Sequence, residues 1–187
     1  MPKTLLPRPT ITSFFPWPIV LVSTVDEAGK PNIITLGASC VCCADPPVIG
    51  IAMGLSRYSL GLMQRTGDFG VNLPTAEQAR ETDFCGSRSG RDTDKFAECG
   101  FTAQPATQIT SPLILECPVS FECKIVQTAH LGSHDWVMGE IVAVHIAEEL
   151  LDERGNLASA RVHPLLSLWG EYWTLGEKLE RWGGYGG

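Results

Sequence analysis

Four short runs of this sequence carry residue types that chemistry uses. Ser56-Arg57-Tyr58-Ser59 sets two hydroxyls and a guanidinium at the start of a stretch with helical spacing, in which Tyr58, Leu60 and Met63 share a face. Backbone N–H groups at a helix start, joined by a guanidinium fork, suit a phosphate-like anion. The same residues would equally make a plain helix cap with a solvated arginine, and both readings stay open. Thr35-Leu36-Gly37-Ala38-Ser39-Cys40 is rich in small side chains. Such a run lets main-chain amides reach a ligand edge, or lets a barrel strand pack tightly. Cys85 to Asp92 is polar, with Gly86 and Gly90, and reads as a loop, either ligand-contacting or simply solvated. His134 sits in Gly132-Ser133-His134-Asp135, a reversal between two β-rich stretches. An imidazole there is an exposed turn residue, or a hydrogen-bonding group that titrates near neutrality.

Other site patterns are absent. No G-x-G-x-x-G follows a strand, no G-x-x-x-x-G-K-[ST] occurs, and H-E-x-x-H is missing. Gly86 to Gly90 has the outline of a nucleophile elbow, but Arg88 stands where its serine belongs. The seven cysteines are an odd number, grouped at Cys40, Cys42 and Cys43 and scattered at Cys85, Cys99, Cys117 and Cys123. They lack the two matched pairs of a zinc site, so no metal is expected. They are expected to be small buried apolar groups in a reducing compartment.

The chain of 187 residues suits one domain spanning residues 1–187, and its net charge of -7 gives no basic footprint for nucleic acid. No apolar run approaches a membrane span, and Met1 to Phe15 lacks an apolar signal core, so a cytoplasmic protein is expected.

These residues must be positioned by a chain whose order is strands, helices, strands. Ile19 to Val25, Ile33 to Cys43 and Val48 to Met53 read as extended, with a turn at Asp26 to Asn32 and a break at Asp45-Pro46-Pro47. Arg57 to Arg65 reads as a helix stopped by Gly67, and Phe69 to Leu73 as a strand. Thr75-Ala76-Glu77-Gln78 has the form of a capping box and predicts a second helix. Asp94 to Cys99 predicts a further turn or two. Cys117 to Gln127 and Trp136 to Glu148 are β-rich and flank a polar reversal from Ala129 to Asp135. This order disfavours a doubly wound sheet and fits a closed or partly open antiparallel barrel with a helical insertion. Trp169, Tyr172, Trp173 and Trp182 are expected in core or dimer packing, and Gly183 to Gly187 as a frayed tail.

From Trp17 to Lys178 the sequence resembles the flavin reductase family, in its flavoredoxin-like branch. The likeness is carried in order by Pro31-Asn32-Ile33-Ile34-Thr35 and Cys43-Ala44-Asp45-Pro46-Pro47, then by Ser56-Arg57-Tyr58-Ser59 and Phe69-Gly70-Val71-Asn72-Leu73-Pro74. It continues through Cys85 to Asp92, Asp94-Lys95-Phe96, Leu131 to Asp135, Gly139-Glu140 and Tyr172 to Glu177. The run Gly37 to Cys42 departs from the family's usual small-residue and tryptophan run. The resemblance implies a mainly β fold with helical insertions, an antiparallel Greek-key-type split barrel that dimerises and binds FMN near the subunit interface. It implies FMN contacts at Asn32, at Thr35 to Cys40, at Ser56 to Ser59, and at Cys85, Gly86, Ser89, Gly90 and Lys95. It places His134 beside the flavin and a nicotinamide pocket, with NAD(P)H as electron donor. The enzyme reading is an NAD(P)H:flavin reductase. The alternatives are an electron-transfer flavoredoxin with a redox protein partner, or a non-catalytic flavin-binding module.

Overall fold

A computed structural model describes residues 15–180, together with Met1, Pro2, Leu5 and Gly184. The expectations for most of the first fifteen residues, for Trp182 and for most of the glycine-rich end fall outside the described residues.

The strands are β1 (Trp17–Pro18), β2 (Val20–Val25), β3 (Pro31–Leu36), β4 (Ser39–Ala44) and β5 (Pro47–Gly54). Then come α1 (Tyr58–Thr66), β6 (Asp68–Leu73), α2 (Ala79–Ser87) and α3 (Lys95–Cys99). The chain continues through β7 (Ala103–Gln104), β8 (Leu113–Ile114), β9 (Val119–Leu131), β10 (His134–Ile146), β11 (Leu165–Leu168) and β12 (Glu171–Thr174). Seven strands form one antiparallel sheet in the order β3-β2-β6-β9-β10-β5-β4. Its two edge strands, β3 and β4, are consecutive in the chain and joined only by Gly37-Ala38. The sheet must therefore curl until its edges meet. Val20, Val22, Ile34, Ile51, Met53, Phe69, Val71 and Val137, drawn from β2, β3, β5, β6 and β10, share the enclosed core.

Strand β2 is buried along its whole length because both its faces are covered. Val20 and Val22 point into the barrel, while Leu21 points outward into a second cluster with Ile33, Cys85, Phe96, Phe101 and Ile114. Each such buried side chain contributes roughly 1.5–3 kcal/mol. This outer cluster clamps α2 and α3 against β3, and so fixes the segment between those helices.

Local signals act as expected. Gly67 ends α1 in the left-handed conformation, and its N–H donates to the Met63 carbonyl at 2.8 Å. The capping box forms, with Thr75 N–H donating to Gln78 Oε1 at 2.9 Å, and opens a short 3-10 turn that leads into α2.

Several expectations are corrected. Cys85 and Gly86 are helical, because α2 runs on to Ser87. Gly86 is kept small by packing, since a Cβ there would lie 3.2 Å from the Thr35 Cβ. The reversal at Ala129 to Asp135 is a two-residue hairpin loop, Gly132-Ser133, so His130 and His134 belong to paired strands. Gly132 has φ +69°, which suits such a tight hairpin. Cys40, Cys42 and Cys43 are exposed on β4, an edge strand with no partner on its outer side among the described residues, whereas Cys85, Cys117 and Cys123 are buried. Of the two expectations for Trp169, Tyr172 and Trp173, core packing is ruled out, since all three are exposed on this chain.

Two buried carboxylates tie down the segment before β8. Asp68 accepts from the N–H groups of Thr110 and Ser111 at 2.7 and 3.1 Å. Glu122, wholly buried, accepts from Thr107 N–H, the Thr107 hydroxyl and Gln108 N–H at 2.8, 2.9 and 2.6 Å, and meets His145 Nε2 at 2.7 Å.

Close packing inside the barrel gives a first expected result. A Cβ on Gly139 would lie 2.6 Å from Phe69 Cζ and 3.0 Å from Cys123 Cβ, both fully buried. Gly139→Ala should destabilise the fold by about 1–3 kcal/mol, the usual cost of overpacking a filled core. Denaturant unfolding reads this directly, and an unchanged midpoint would refute it.

Candidate functional site

The start of α1 is built against local helix stability. Its N-cap is Arg57, in extended conformation, which makes no side-chain capping bond, and the first turn carries no acidic residue. An N-cap normally supplies an oxygen acceptor, and the positive helix end favours anions nearby. Here the sequence adds cations instead. The segment after α2 brings Arg88 and Arg91 to the same place, and the first residue of α3 brings Lys95. Together with Ile34, Ser56, Tyr58, Ser59, Ser87, Ser89 and Gly90 they line a cleft of about 200 Å³. Four cations at an uncapped helix start repel one another unless an anion occupies the cleft.

Each wall is held from behind. Lys95, only 3% exposed, donates from Nζ to the carbonyls of Ile33 and Cys85, each at 2.7 Å, and so pins α3 to both β3 and α2. Burial holds its pKa below the usual lysine value, and the Arg57 guanidinium pushes the same way. The Arg91 guanidinium lies 5.2 Å from the centre of the Tyr58 ring. Asn32, buried beneath the cleft, donates from Nδ2 to Thr24 Oγ1 at 3.1 Å and to Ser59 Oγ at 2.8 Å. Its Oδ1 is buried without a hydrogen-bond partner among the described residues, against Gly90. Thr35 donates from its hydroxyl to the Thr82 carbonyl at 2.5 Å, linking β3 to α2.

The structure thus gathers Ser56, Arg57, Tyr58, Ser59, Ser89, Gly90 and Lys95 in one cleft, with Asn32 below it. It does not bring Leu36 to Cys40 there. Leu36 packs on the barrel core, Gly37 lies beside Ile19, the Ala38 carbonyl accepts from Ala52 N–H at 2.9 Å, Ser39 is buried, and Cys40 is exposed on β4. Cys85 is buried behind the cleft in the outer cluster. His134 stands at the rim, across the strand pair from Gly54. A Cβ on Gly54 would lie 3.7 Å from His134 Nε2 and 3.5 Å from Arg57 Cγ, so that glycine leaves the imidazole and the arginine side by side. His134 Nδ1 meets Ser133 Oγ at 2.8 Å. Reading the sequence for site residues overlooked Ser87, Arg88, Arg91 and Ile34. The available signal was two arginines three residues apart in a glycine-bearing polar run.

Gly90 sets the depth of the cleft. A Cβ there would lie 1.8 Å from Asn32 Oδ1 and 2.8 Å from Asn32 Cγ. Gly90→Ala should push the arginine-bearing segment away from β3 and weaken binding of inorganic phosphate or its esters at least several-fold, with the fold retained. Calorimetric titration against wild type checks this, and equal affinities would refute it.

The sequence matches the family described as flavin reductase like domain over residues 12–175. The chain belongs to that family. Among solved structures, this family member is similar to the flavoredoxin of Desulfovibrio vulgaris (Miyazaki F), with 30% identity, a TM-score of 0.89 and coverage of 97% of each chain. It is also similar to the flavoredoxin of Methanosarcina acetivorans, with 28% identity, a TM-score of 0.84 and coverage of 95% of each chain. In sequence it is 24% identical over 131 residues to the NADH:riboflavin 5'-phosphate oxidoreductase of Streptomyces pristinaespiralis, covering 70% of this chain and 72% of that protein. The split barrel and a flavin-binding family are therefore established for this chain. No helix among the described residues is long and apolar enough to cross a membrane.

Proposed function

We propose that this chain holds FMN with its phosphate in the cleft, and that it is an NAD(P)H-dependent flavin reductase. The observation that carries the reading is the convergence of Arg57, Arg88 and Arg91 at the uncapped start of α1. Such a cradle fits a dianionic phosphate ester, which guanidinium forks and helix N–H groups bind together. The residues assigned to the phosphate are Ser56, Arg57, Tyr58, Ser59, Arg88, Ser89, Gly90 and Arg91. Lys95 and Asn32 support them from behind. Thr35 to Cys40, on the seam between β3 and β4, together with Gly86, are assigned to the ring-side wall, and Cys85 packs behind it. When bound, FMN supplies the redox chemistry, taking two electrons from a nicotinamide and passing them on. The protein's part is to bind and orient, and His134, beside Arg57 at the rim, is assigned a hydrogen bond to the flavin or nicotinamide.

A second reading is an electron-transfer flavoredoxin with tightly held FMN and a protein partner. The full-length likeness to two flavoredoxins favours it. Anaerobic mixing of the FMN-loaded protein with NADH or NADPH separates the two. Bleaching of the flavin within seconds supports the reductase, and no bleaching with either donor overturns it in favour of the flavoredoxin. A protein that binds no added FMN overturns both.

A homodimer is part of the same proposal. Val41, Trp169, Trp173 and Leu175 leave large apolar groups on the surface of this chain. Light scattering at micromolar concentration should give twice the chain mass of 20.3 kDa, and a monomeric mass would refute it.

A further inference from the structure

The sulfurs of Cys85 and Cys99 stand 3.6 Å apart. Cys85 is fully buried near the end of α2, and Cys99 is half-buried at the last residue of α3. Between them runs the segment 86–98, which contributes Arg88, Ser89, Gly90, Arg91 and Lys95 to the cleft. We propose that Cys85 and Cys99 are an oxidation site for a hydroperoxide, and that their disulfide clamps this arginine-bearing segment.

The chemistry balances. Cys99, the more accessible thiol, attacks hydrogen peroxide; the O–O bond breaks, water leaves, and Cys99 becomes a sulfenic acid. The Cys85 sulfur attacks the oxidised sulfur, the S–S bond forms, and a second water leaves. The two thiols give up two electrons and two protons, and the peroxide becomes two waters. The sulfurs need only close from 3.6 Å to about 2.05 Å, which draws the end of α3 onto α2. Burial holds both thiols above the usual cysteine pKa; the contact with Cys85 and the Lys95 ammonium offset only part of this at Cys99, and Lys95 only part at Cys85. The 3.6 Å approach of the two sulfurs, not an activated thiolate, carries the proposal, and the half-exposure of Cys99 gives the peroxide its access. The cross-link closes the loop at the two points that already hold it.

The test treats the full-length chain with hydrogen peroxide, alkylates remaining thiols in denaturant and maps the peptides. The expected result is a peptide joining Cys85 to Cys99, reversed by dithiothreitol and absent in Cys99→Ser. Amide hydrogen exchange across 86–98 should then be slower in the oxidised than in the reduced protein. Neither readout requires bound flavin, so the outcome is separate from that of the functional proposal. The exposed Cys40, Cys42 and Cys43 are expected to oxidise first and so serve as an internal clock. Full alkylation of Cys85 after those three are oxidised overturns the proposal. Conversion of Cys99 to a sulfinic acid without the cross-link overturns it as well.

Discussion

Replacing Arg57 by alanine should lower FMN affinity by roughly one to two orders of magnitude while leaving riboflavin binding unchanged. Arg57 caps α1 with no side-chain bond of its own, so within the chain its guanidinium is not used as a helix cap. If it forks onto the phosphate, the alanine variant loses charge-assisted hydrogen bonds worth roughly 1.5–3 kcal/mol each, and about 1.4 kcal/mol is tenfold in affinity. Arg88 and Arg91 remain in the cleft and soften the loss. Arg57→Lys should recover only part of it, because an ammonium cannot reproduce the planar fork. Riboflavin lacks the phosphate and is the internal control. Fluorescence titrations of both flavins on each variant read the outcome. Equal losses for FMN and riboflavin, or no loss for either, would show that Arg57 does not meet the phosphate.

The second large effect is on stability. Glu122 is wholly buried and is held by Thr107, Gln108 and His145. Burial pushes its carboxyl pKa up, but the bonds from Thr107, His145 and Gln108 outweigh this and hold it below the usual glutamate value. In Glu122→Gln the amide offers one oxygen and turns an NH2 toward groups that are themselves donors. Breaking a buried charged network from one side costs about 3–5 kcal/mol. At about 2–4 °C per kcal/mol for a chain of this size, the melting temperature should fall by roughly 6–20 °C. The pH dependence has a defined sign. A depressed carboxyl contributes stability that is present above its unfolded pKa of about 4.3 and is lost as the pH falls through the lower folded value. The variant should therefore lose part of the acid-side slope. Thermal melts from pH 7 to pH 3 decide it, and parallel curves of equal midpoint would refute the assignment.

Signals confined to a few neighbouring residues were legible in the sequence. The turn between β2 and β3, the glycine stop of α1, the capping box before α2 and the succession of strands, helices and strands all rest on local backbone chemistry, and each is found in place. Contacts between distant elements were not legible. Gly86 reads as a loop glycine, yet it is a helical residue kept small by Thr35, 51 residues earlier in the chain. The cysteines of β4 read as buried, but β4 is an edge strand with no outer neighbour among the described residues, which leaves Cys40, Cys42 and Cys43 exposed on this chain. The arginine cradle is half visible. Ser56 to Ser59 announces itself by pattern, whereas Arg88 and Arg91 look like surface charges until the outer cluster folds α2 and α3 back over β3.

Lys95 and the arginines divide the cost of binding differently. A long side chain that is free before a ligand arrives must give up rotamers to hold it, at about 0.5–1.5 kcal/mol each. Lys95 has given these up already, since the carbonyls of Ile33 and Cys85 fix its ammonium as the chain folds. Its position beside the cleft is thus fixed before a ligand arrives. In the proposed phosphate site the arginines would act later, giving up their rotamers as they close over the anion. The cleft is thus expected to set its residence time through Arg57, Arg88 and Arg91.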